Sequence, residues 1–425
     1  MFDLVAAFIG LTTLLTYINY RFVKLPPAIG VMATALVLSL VAHLIALAGY
    51  PLLEARMQHL IRDIDFSQVL MTWFLPALLF AGALHVNFAD LREFRWPIGL
   101  LATVGVVIST LAVGTAAFYL FAALGWEIGY IYCLLFGALI SPTDPIAVMG
   151  ILKTSGAPRP LQYTIIGESL FNDGSAIVTF SILLGVLALG QAPTPGDIGI
   201  LFAKEAIGGI VFGLALGFLG FRMLRTISDH QVTIMVTLAM VFGGAAIAAK
   251  LHVSAPIAMV VAGLIIGNHG RQLAMDEETR TIVDDLWEVI DSILNALLFA
   301  LIGLELLILP LSWMHIFAAM LLGLIVLGAR FVTIAPAVVL ARKLGKIIPS
   351  GTSRVLTWGG LRGGVSVALV LSLPNGSERD TLLALTYVVV LVSILVQGLS
   401  VSKLVSYHFG QKADPGQVGT QAKGY

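Results

Sequence analysis

Apolar segments recur along the whole chain, separated by short polar stretches that contain most of its charges. About 20 consecutive apolar residues are enough for an α-helix to cross a bilayer. The pattern predicts thirteen spans, at approximately 3–20, 26–49, 67–88, 97–123, 128–151, 162–188, 197–221, 231–250, 253–268, 289–309, 313–341, 352–373 and 380–406. We therefore expect an all-α polytopic membrane protein, with one transmembrane unit over residues 1–407 and a disordered cytoplasmic tail over 408–425.

The composition agrees with this fold class. Of the 425 residues, 58% are hydrophobic and only 11% are charged, whereas soluble proteins average about 25% charged residues. The formal net charge of +0 argues against a nucleic-acid-binding surface. The single Cys133 excludes an internal disulfide framework, and the absence of any redox or nucleotide motif predicts that no cofactor is needed. The N-terminal MFDLVAAFIG lacks the basic region of a cleavable signal and is interpreted as part of a retained first span.

The distribution of basic residues orients the predicted spans. Cytoplasmic loops of membrane proteins are enriched in Lys and Arg. Most of the 24 Lys and Arg residues fall on one side of the predicted topology, and only Arg330 and Arg362 lie inside spans. The more positive side is expected to be cytoplasmic. This places the N-terminus outside and the C-terminus inside, in a cytoplasmic (inner) membrane.

The fifth predicted span, CLLFGALISPTDPIAVMGIL, contains a helix break. Pro142 and Pro145 lack a backbone N–H, and each disfavours helical geometry in the residue before it. Carbonyls about one turn earlier lose their partners, which a membrane tolerates only inside protein or beside a watery cavity. A proline kink satisfied by a neighbouring helix is the simpler interpretation. Two prolines around Thr143 and Asp144 favour an unwound segment that handles an ion.

The twelfth predicted span, VLTWGGLRGGVSVALVLSL, has a second candidate break at Arg362. This arginine is surrounded by four glycines, Gly359, Gly360, Gly363 and Gly364. Close helix packing explains the glycines but not the buried arginine. The two breaks lie seven spans apart, the offset expected for two six-span inverted repeats joined by a linker helix. If the unwound segments cross, Asp144 and Arg362 are placed to neutralise the opposing dipole ends of the half-helices.

The sixth predicted span contains GESLFNDGSA, which places two acids in an otherwise apolar segment. Residues four apart share a helix face, so Ser169 projects with Asp173. For the same reason, Glu168 projects with Asn172, about a third of a turn away. Two polar faces on one span indicate two different roles.

The cost of burying charge suggests what those roles are. A buried acid is costly unless it is paired, so one of the two is expected to pair with Arg330 or Arg362. Asp173, beside a hydroxyl on the other face, is then expected to take the transported species as its partner, either a small cation or a proton. The alternative is that all of these polar groups serve as contacts between helices.

Five blocks occur in order along most of the chain and resemble a known family. They are GALISPTDPIAVMGIL, GESLFNDGSAIV, VSAPIAMVVAGLIIGN, LWEVIDSILNALLFALIGLEL and WGGLRGGVSVALVLSLP. Together they resemble the monovalent cation:proton antiporter family, specifically the NhaP-type sodium/proton exchangers. The resemblance implies that sodium or lithium is exchanged for protons, and that the chain is not an enzyme.

The resemblance also implies an architecture. It predicts a thirteen-helix homodimer in membrane lipid that moves by an elevator-like mechanism. The core, or transport, helices are expected at about 67–188 and 289–406, and the dimerisation helices at about 3–49 and 197–268.

Site roles follow from the same resemblance. It implies that Asp173 alternately holds the cation and the proton, with Ser169 and the backbone oxygen of Thr143 as further cation ligands. Asp144 is a further candidate in the ion-binding and proton-exchanging set.

Four other residues are implied to support this site. Asn172 is expected to support the broken helix, in the place of the first acid of an Asp-Asp pair in electrogenic relatives. Glu168 matches the acid that pairs with an arginine of span eleven, here Arg330. Arg362 is then assigned to the unwound crossover.

The third span departs from the family pattern. Many relatives have an acid there in a motif like LLFEGAL, whereas this chain reads LLFAGALHVN, with Ala81 at that position. A contribution from that acid is therefore expected to be absent or replaced. His85 is expected to lie at a helix end and not in a proton relay.

Two other functions compete with sodium/proton exchange. Potassium/proton exchange is the alternative within the same class, because the sequence does not distinguish monovalent cations. From another class, an intramembrane aspartyl protease would use Asp144 and Asp173 as its dyad. The Gly-x-Gly-Asp-like context of that protease is absent, which argues against it.

Overall fold

A computed structural model describes most of the chain. It covers residues 2–50, 69–88, 98–144, 157–189, 195–227, 229–307, 311–343 and 348–409, together with residues 52, 55, 57, 58, 96, 148, 152 and 309. Pro145 and residues 410–425 of the predicted tail lie outside this part. Within it, regular secondary structure is helical and there is no strand.

The helices follow the predicted spans in order. They are α1 Phe2–Ile18, α2 Pro27–Leu47, α3 Leu70–Leu84, α4 Ile98–Ala123, α5 Tyr130–Leu139, α6 Arg159–Leu189, α7 Gly199–Leu224, α8 His230–Leu251, α9 Ala255–Gly270, α10 Glu277–Leu304, α11 Trp313–Lys343, α12a Thr352–Trp358, α12b Gly364–Leu371 and α13 Ser377–Phe409.

Eight of the described helices are long and apolar enough to cross a bilayer, namely α2, α4, α6, α7, α8, α10, α11 and α13. Three shorter apolar helices, α3, α5 and α9, lie between them. The predicted all-helical membrane fold is therefore confirmed, while the full count of thirteen spans stays a prediction. One boundary differs, because α13 continues to Phe409 where the tail was expected to begin at 408.

Local sequence chemistry explains several helix starts. Asp229, Ser254 and Asp276 precede α8, α9 and α10, and each side chain accepts a hydrogen bond from a backbone N–H of the first turn. The hydrogen bonds from Thr279 hold the pKa of Asp276 below its ordinary value. At α2, Pro27 occupies the first turn, where no backbone N–H is required.

Small residues bring the helices close together. A Cβ added at Gly263 of α9 would lie 2.8 Å from the carbonyl oxygen of Phe80 in α3. Gly267, one turn later, lies against the carbonyl oxygen of Leu84 in the same way. A Cβ at Gly303 of α10 would lie 2.6 Å from the carbonyl oxygen of Met32 in α2. Such close backbone approaches are how membrane helices gain packing energy without a hydrophobic driving force between them.

This packing bears on how the helices are grouped. From the sequence, α3 and α10 were assigned to the core helices. In the structure, α3 packs most extensively on α9, and α10 on α2, and both partners belong to the predicted dimerisation group. The division of the chain into two groups stays a prediction, but α3 and α10 lie where the two groups meet.

Candidate functional site

Two interrupted helices cross in the structure. Helix α5 ends at Leu139 and residues 142–144 are not helical. The segment between α12a and α12b is interrupted at residues 360–363. The backbone N–H of Asp144 donates to the carbonyl oxygen of Leu361 at 2.8 Å, so the two interruptions touch. Both breaks therefore lie where the prolines and glycines predict them, and they meet as expected.

The side chain of Arg362 satisfies the carbonyl groups freed at the end of α5. Its Nη1 donates to the carbonyl oxygens of Ser141 at 2.5 Å and Pro142 at 2.9 Å. Its backbone N–H donates to Ser393 Oγ at 3.0 Å. The guanidinium is almost fully buried and lies at the negative end of the α5 dipole. This is the neutralising position predicted for it.

The carboxylate of Asp144 lies at a helix N-terminus, whereas the guanidinium of Arg362 lies at a helix C-terminus. A Cβ added at Gly363 would come 2.5 Å from Asp144 Oδ2, so the carboxylate rests directly against this glycine. Gly363 immediately precedes α12b, whose N-terminus has the positive end of the helix dipole. Asp144 and Arg362 thus complement the two half-helix ends, and Gly363 has no side chain because the carboxylate occupies that space.

The four polar residues of the α6 motif are all buried. Glu168 and Ser169 are 2% exposed, Asn172 is 3% exposed and Asp173 is 7% exposed. They occupy the middle of α6, which is 31 residues long, so none of them can reach bulk water past a helix end. Each must therefore be stabilised by a neighbouring group or by the species it binds.

Glu168 pairs with Arg330 of α11. Arg330 Nη1 donates to Glu168 Oε1 at 2.8 Å and Nη2 donates to Oε2 at 3.0 Å. Arg330 Nε donates to the carbonyl oxygen of Leu356 in α12a at 3.1 Å, and Gly360 leaves space for the guanidinium. The two-armed pair is the strong geometry of arginine and carboxylate. It connects α6, α11 and α12a, and it resolves the choice between Arg330 and Arg362.

Asn172 contacts the first break directly. Its Nδ2 donates to the carbonyl oxygen of Ser141 at 3.2 Å, the same oxygen that Arg362 contacts. Its Oδ1 is buried and makes no hydrogen bond to the described residues. The contact places Asn172 in the supporting position expected for it.

Ser169 and Asp173 lie on the other face of α6, towards Thr143. The hydroxyl groups of Ser169 and Thr143 are 3.0 Å apart. Asp173 lies one turn further along α6, and within the described part of the chain its buried Oδ1 has no hydrogen-bond partner. Two hydroxyl groups and a carboxylate thus lie along this face near the crossover, and one oxygen of the carboxylate has no hydrogen-bond partner among the described residues.

A cavity of about 370 Å³ is lined by two of these residues, Thr143 and Asp173. One wall is formed by the first break and α6, with Thr143, Asp144 and Asp173. The facing wall comes from α3 and α10. The polar side chains of that wall are His85, Glu288, Asp291 and Asn295. Among the described residues, four acids and no Lys or Arg line the cavity. Its chemistry suits a cation.

The residues of α10 in this cavity were not identified from the sequence. The sequence pattern that could have identified them is a row of polar residues spaced three or four apart, which puts them on one helix face. These residues are Asp284, Glu288, Asp291 and Asn295. On α3, Ala81 lines the cavity. His85 Nδ1 lies 2.8 Å from the carbonyl oxygen of Ala81 and follows the last residue of α3, so it is at the predicted helix end.

Comparison with protein families finds one matching model along nearly the full chain. The transmembrane model of the sodium/hydrogen exchanger family matches residues 10–407. This range contains both breaks, the whole of α6 and the helices that line the cavity.

Comparison with individual proteins finds both sequence and fold relatives. The chain is 66% identical over 408 residues to the Na(+)/H(+) antiporter NhaP of Pseudomonas aeruginosa, covering 95% of this chain and 96% of that protein. It is 35% identical to the Na(+)/H(+) antiporter NhaH of Halobacillus dabanensis, covering 87% of this chain and 91% of the relative. The sodium proton antiporter MjNhaP1 of Methanocaldococcus jannaschii has a similar fold, with a TM-score of 0.73, 18% identity and coverage of 96% and 98%.

Proposed function

The chain belongs to the sodium/hydrogen exchanger family, a family of membrane transporters and not of enzymes, and we propose that it exchanges sodium or lithium for protons. The observation that supports this most is that Asp173 lines an acid-rich cavity and that its buried Oδ1 has no hydrogen-bond partner among the described residues. The family also removes the protease alternative, since Asp144 and Asp173 are here parts of a transporter.

The proposed chemistry is competition for one carboxylate. A buried ionised Asp173 is costly without a partner, so it binds either a cation or a proton at every stage when it is enclosed. A site that must be occupied by one of the two couples their movements in opposite directions. The other acid of α6 takes no part, because Glu168 is held by both arms of Arg330.

The oxygens around Asp173 suit a small hard cation. Hard cations prefer carboxylate, hydroxyl, carbonyl and water oxygens. We assign the cation to Asp173, Ser169 and Thr143, with either the hydroxyl or the backbone oxygen of Thr143 as ligand. The hydroxyls of Ser169 and Thr143 already lie 3.0 Å apart, so both can face one ion. Asp144 contributes negative potential from the N-terminus of α12b.

Alternating access follows from where the cavity lies. One wall is formed by a first group of elements, α6 and the crossed breaks, and the facing wall by a second group, α3 and α10. We propose that the first group moves past the second in an elevator-like motion, within a homodimer of thirteen-span subunits built from inverted repeats. The basic-residue distribution favours a cytoplasmic position for the end of the cavity that contains the exposed His85 and Glu288, with the N-terminus outside and the C-terminus inside.

The direct test of this function is a pH-gradient assay with purified protein in proteoliposomes. Sodium, lithium and potassium are added in turn, and proton movement is followed with a pH-sensitive dye. We expect sodium and lithium to dissipate the gradient. A response to potassium alone would support the potassium/proton alternative, and no response to any of the three would contradict cation/proton exchange.

We predict that exchange is electroneutral. Charge counting supports this, because Glu168 stays paired, Asn172 cannot ionise and Ala81 has no charge. Asp173 is then the only group whose charge alternates, and it holds one cation or one proton. The measurement is the current on a supported membrane together with the response to an imposed potassium-diffusion potential. Steady-state current in proportion to sodium flux would mean that Asp144 or another group also titrates.

A further inference from the structure

Helix α10 presents an acid to the cavity that the mechanism above does not use. Asp291 is half-buried and lines the cavity about one turn before Asn295. Asn295 is buried, and its Nδ2 donates to the backbone carbonyl oxygen of Asp291 at 2.8 Å, which fixes the amide beside this acid. Asp291 and Asn295 thus form an ordered polar pair in the wall that faces Asp173.

No positive charge compensates Asp291 in the described part of the chain. The ion pairs found there join Arg330 with Glu168, Arg271 with Asp284 and His230 with Glu278. The charged groups that interact with Asp291 are Asp144, across the cavity, and Glu288, on its own helix, and both repel it. The titratable group contributed by α3 is His85, which turns back to the carbonyl oxygen of Ala81. A partly desolvated carboxylate among other acids is stabilised by a cation or a proton taken from solution.

A second feature of the cavity points to the same ligand. Asp173 is 7% exposed, lines the cavity from the opposite wall, and has a buried Oδ1 without a partner among the described residues. The two acids line the same cavity, so a cation inside it is attracted by both carboxylates. The cavity is also wide enough, at about 370 Å³, for a cation that keeps part of its water shell.

We propose that Asp291, with Asn295, is a second cation-binding group of the transport cavity, which captures a monovalent cation before Asp173 binds it. This rests on the proposed function and adds a residue that determines cation affinity. We assign α10 to the wall that does not contain Asp173, because it packs mainly on α2 and α3, so the charge of Asp291 stays on that wall during the proposed motion. Asp291 therefore sets the sodium concentration needed for half-maximal exchange and does not change the number of protons exchanged per sodium ion.

The test compares sodium dependence in everted membrane vesicles, where added sodium reaches the cytoplasmic side. Asp291→Asn is expected to raise the half-saturating sodium concentration roughly three- to tenfold, with little change in maximal rate, since one attractive charge is lost. Asp291→Glu should restore the wild-type value. Asp285→Asn is the matched control, because Asp285 is an exposed acid of the same helix that does not line the cavity; it should behave as wild type.

A relocated carboxylate separates ion binding from a structural role. Gly82 of α3 lines the same cavity, and a Cβ there meets only Leu170 Cδ1 at 3.8 Å, so a larger side chain fits. Gly82→Asp combined with Asp291→Asn should recover part of the lost sodium affinity, whereas a damaged fold would not recover.

The outcomes distinguish this proposal from the proposed function. If wild-type vesicles show no exchange, the function itself is wrong. If the wild type exchanges but Asp291→Asn keeps the wild-type half-saturating concentration, or loses maximal rate alone, the role of Asp291 is overturned. Failure of the relocated acid to restore affinity in a protein that still exchanges would also contradict it.

Discussion

Replacing Asp173 by Asn is expected to abolish sodium-driven proton movement while the protein still inserts and folds. Asparagine has nearly the shape of aspartate, so the packing of α6 is kept. It can neither release a proton nor provide a negative charge for sodium, and both substrates lose their shared group. The measurement is dye dequenching in proteoliposomes, where the initial rate should fall to the level of empty liposomes.

Two comparisons make that result specific. Asp285→Asn removes the same charge at an exposed position of α10 and should keep wild-type exchange. The purified Asp173→Asn protein in detergent should unfold at a temperature no lower than that of the wild type, because the replacement removes an uncompensated buried charge. Substantial sodium-driven proton movement by Asp173→Asn would show that another group couples the two ions.

Breaking the Glu168–Arg330 pair is expected to have the largest effect on stability. Both side chains are buried, and either single replacement leaves the other charge without its partner. Removing one member of a buried pair typically costs about 3–5 kcal/mol. We therefore expect Glu168→Ala and Arg330→Ala to lower the unfolding temperature strongly, measured by thermal unfolding in detergent at matched protein concentration.

The double variant provides the decisive comparison. Glu168→Ala with Arg330→Ala removes both charges together, so its loss of stability should be smaller than the sum of the two single losses. The matched control combines Asp173→Asn with Arg330→Ala, which share no contact in the described structure. Additive losses in the Glu168–Arg330 cycle would mean that the pair contributes no coupling energy.

The parts of this fold that could be predicted are those that depend on local chemistry. Each apolar segment became a helix because a lipid environment requires backbone groups to be satisfied within the segment. The break after α5 followed from the missing N–H and steric limits of Pro142. The break around Arg362 followed from its glycines, and the need to neutralise two dipole ends predicted how the segments would meet.

The parts that could not be predicted depend on which helices are neighbours. Periodicity placed Glu168 on a polar face but left Arg330 and Arg362 as equal candidates, until the packing of α11 against α6 brought one guanidinium to the carboxylate. Ser169 and Thr143 are 26 residues apart, and the contact between their hydroxyls exists only because the first break crosses α6.

Helix α10 is the clearest example of a feature that depends on which helices are neighbours. An acid near the start of a predicted span is usually solvated, and Asp291 lies two residues after the predicted start of the tenth span at 289, so it gave no reason to expect a site. Its role becomes apparent only when α3 closes the space in front of it and Asp173 appears on the opposite wall. The packing of α3 on α9 and of α10 on α2 also could not be predicted, since it depends on close contacts at glycines of α9 and α10.

The most direct test of competition for Asp173 is proton release on sodium binding. Purified protein in detergent, in weakly buffered solution with a pH indicator, is titrated with sodium chloride, and choline chloride controls for ionic strength. At a pH where the free site is mostly protonated, the wild type should release protons in proportion to bound sodium, approaching one per site, and Asp173→Asn should release none. Two results would contradict competition for Asp173. One is sodium binding to the wild type, detected by isothermal titration calorimetry, without proton release; the other is unchanged proton release in Asp173→Asn.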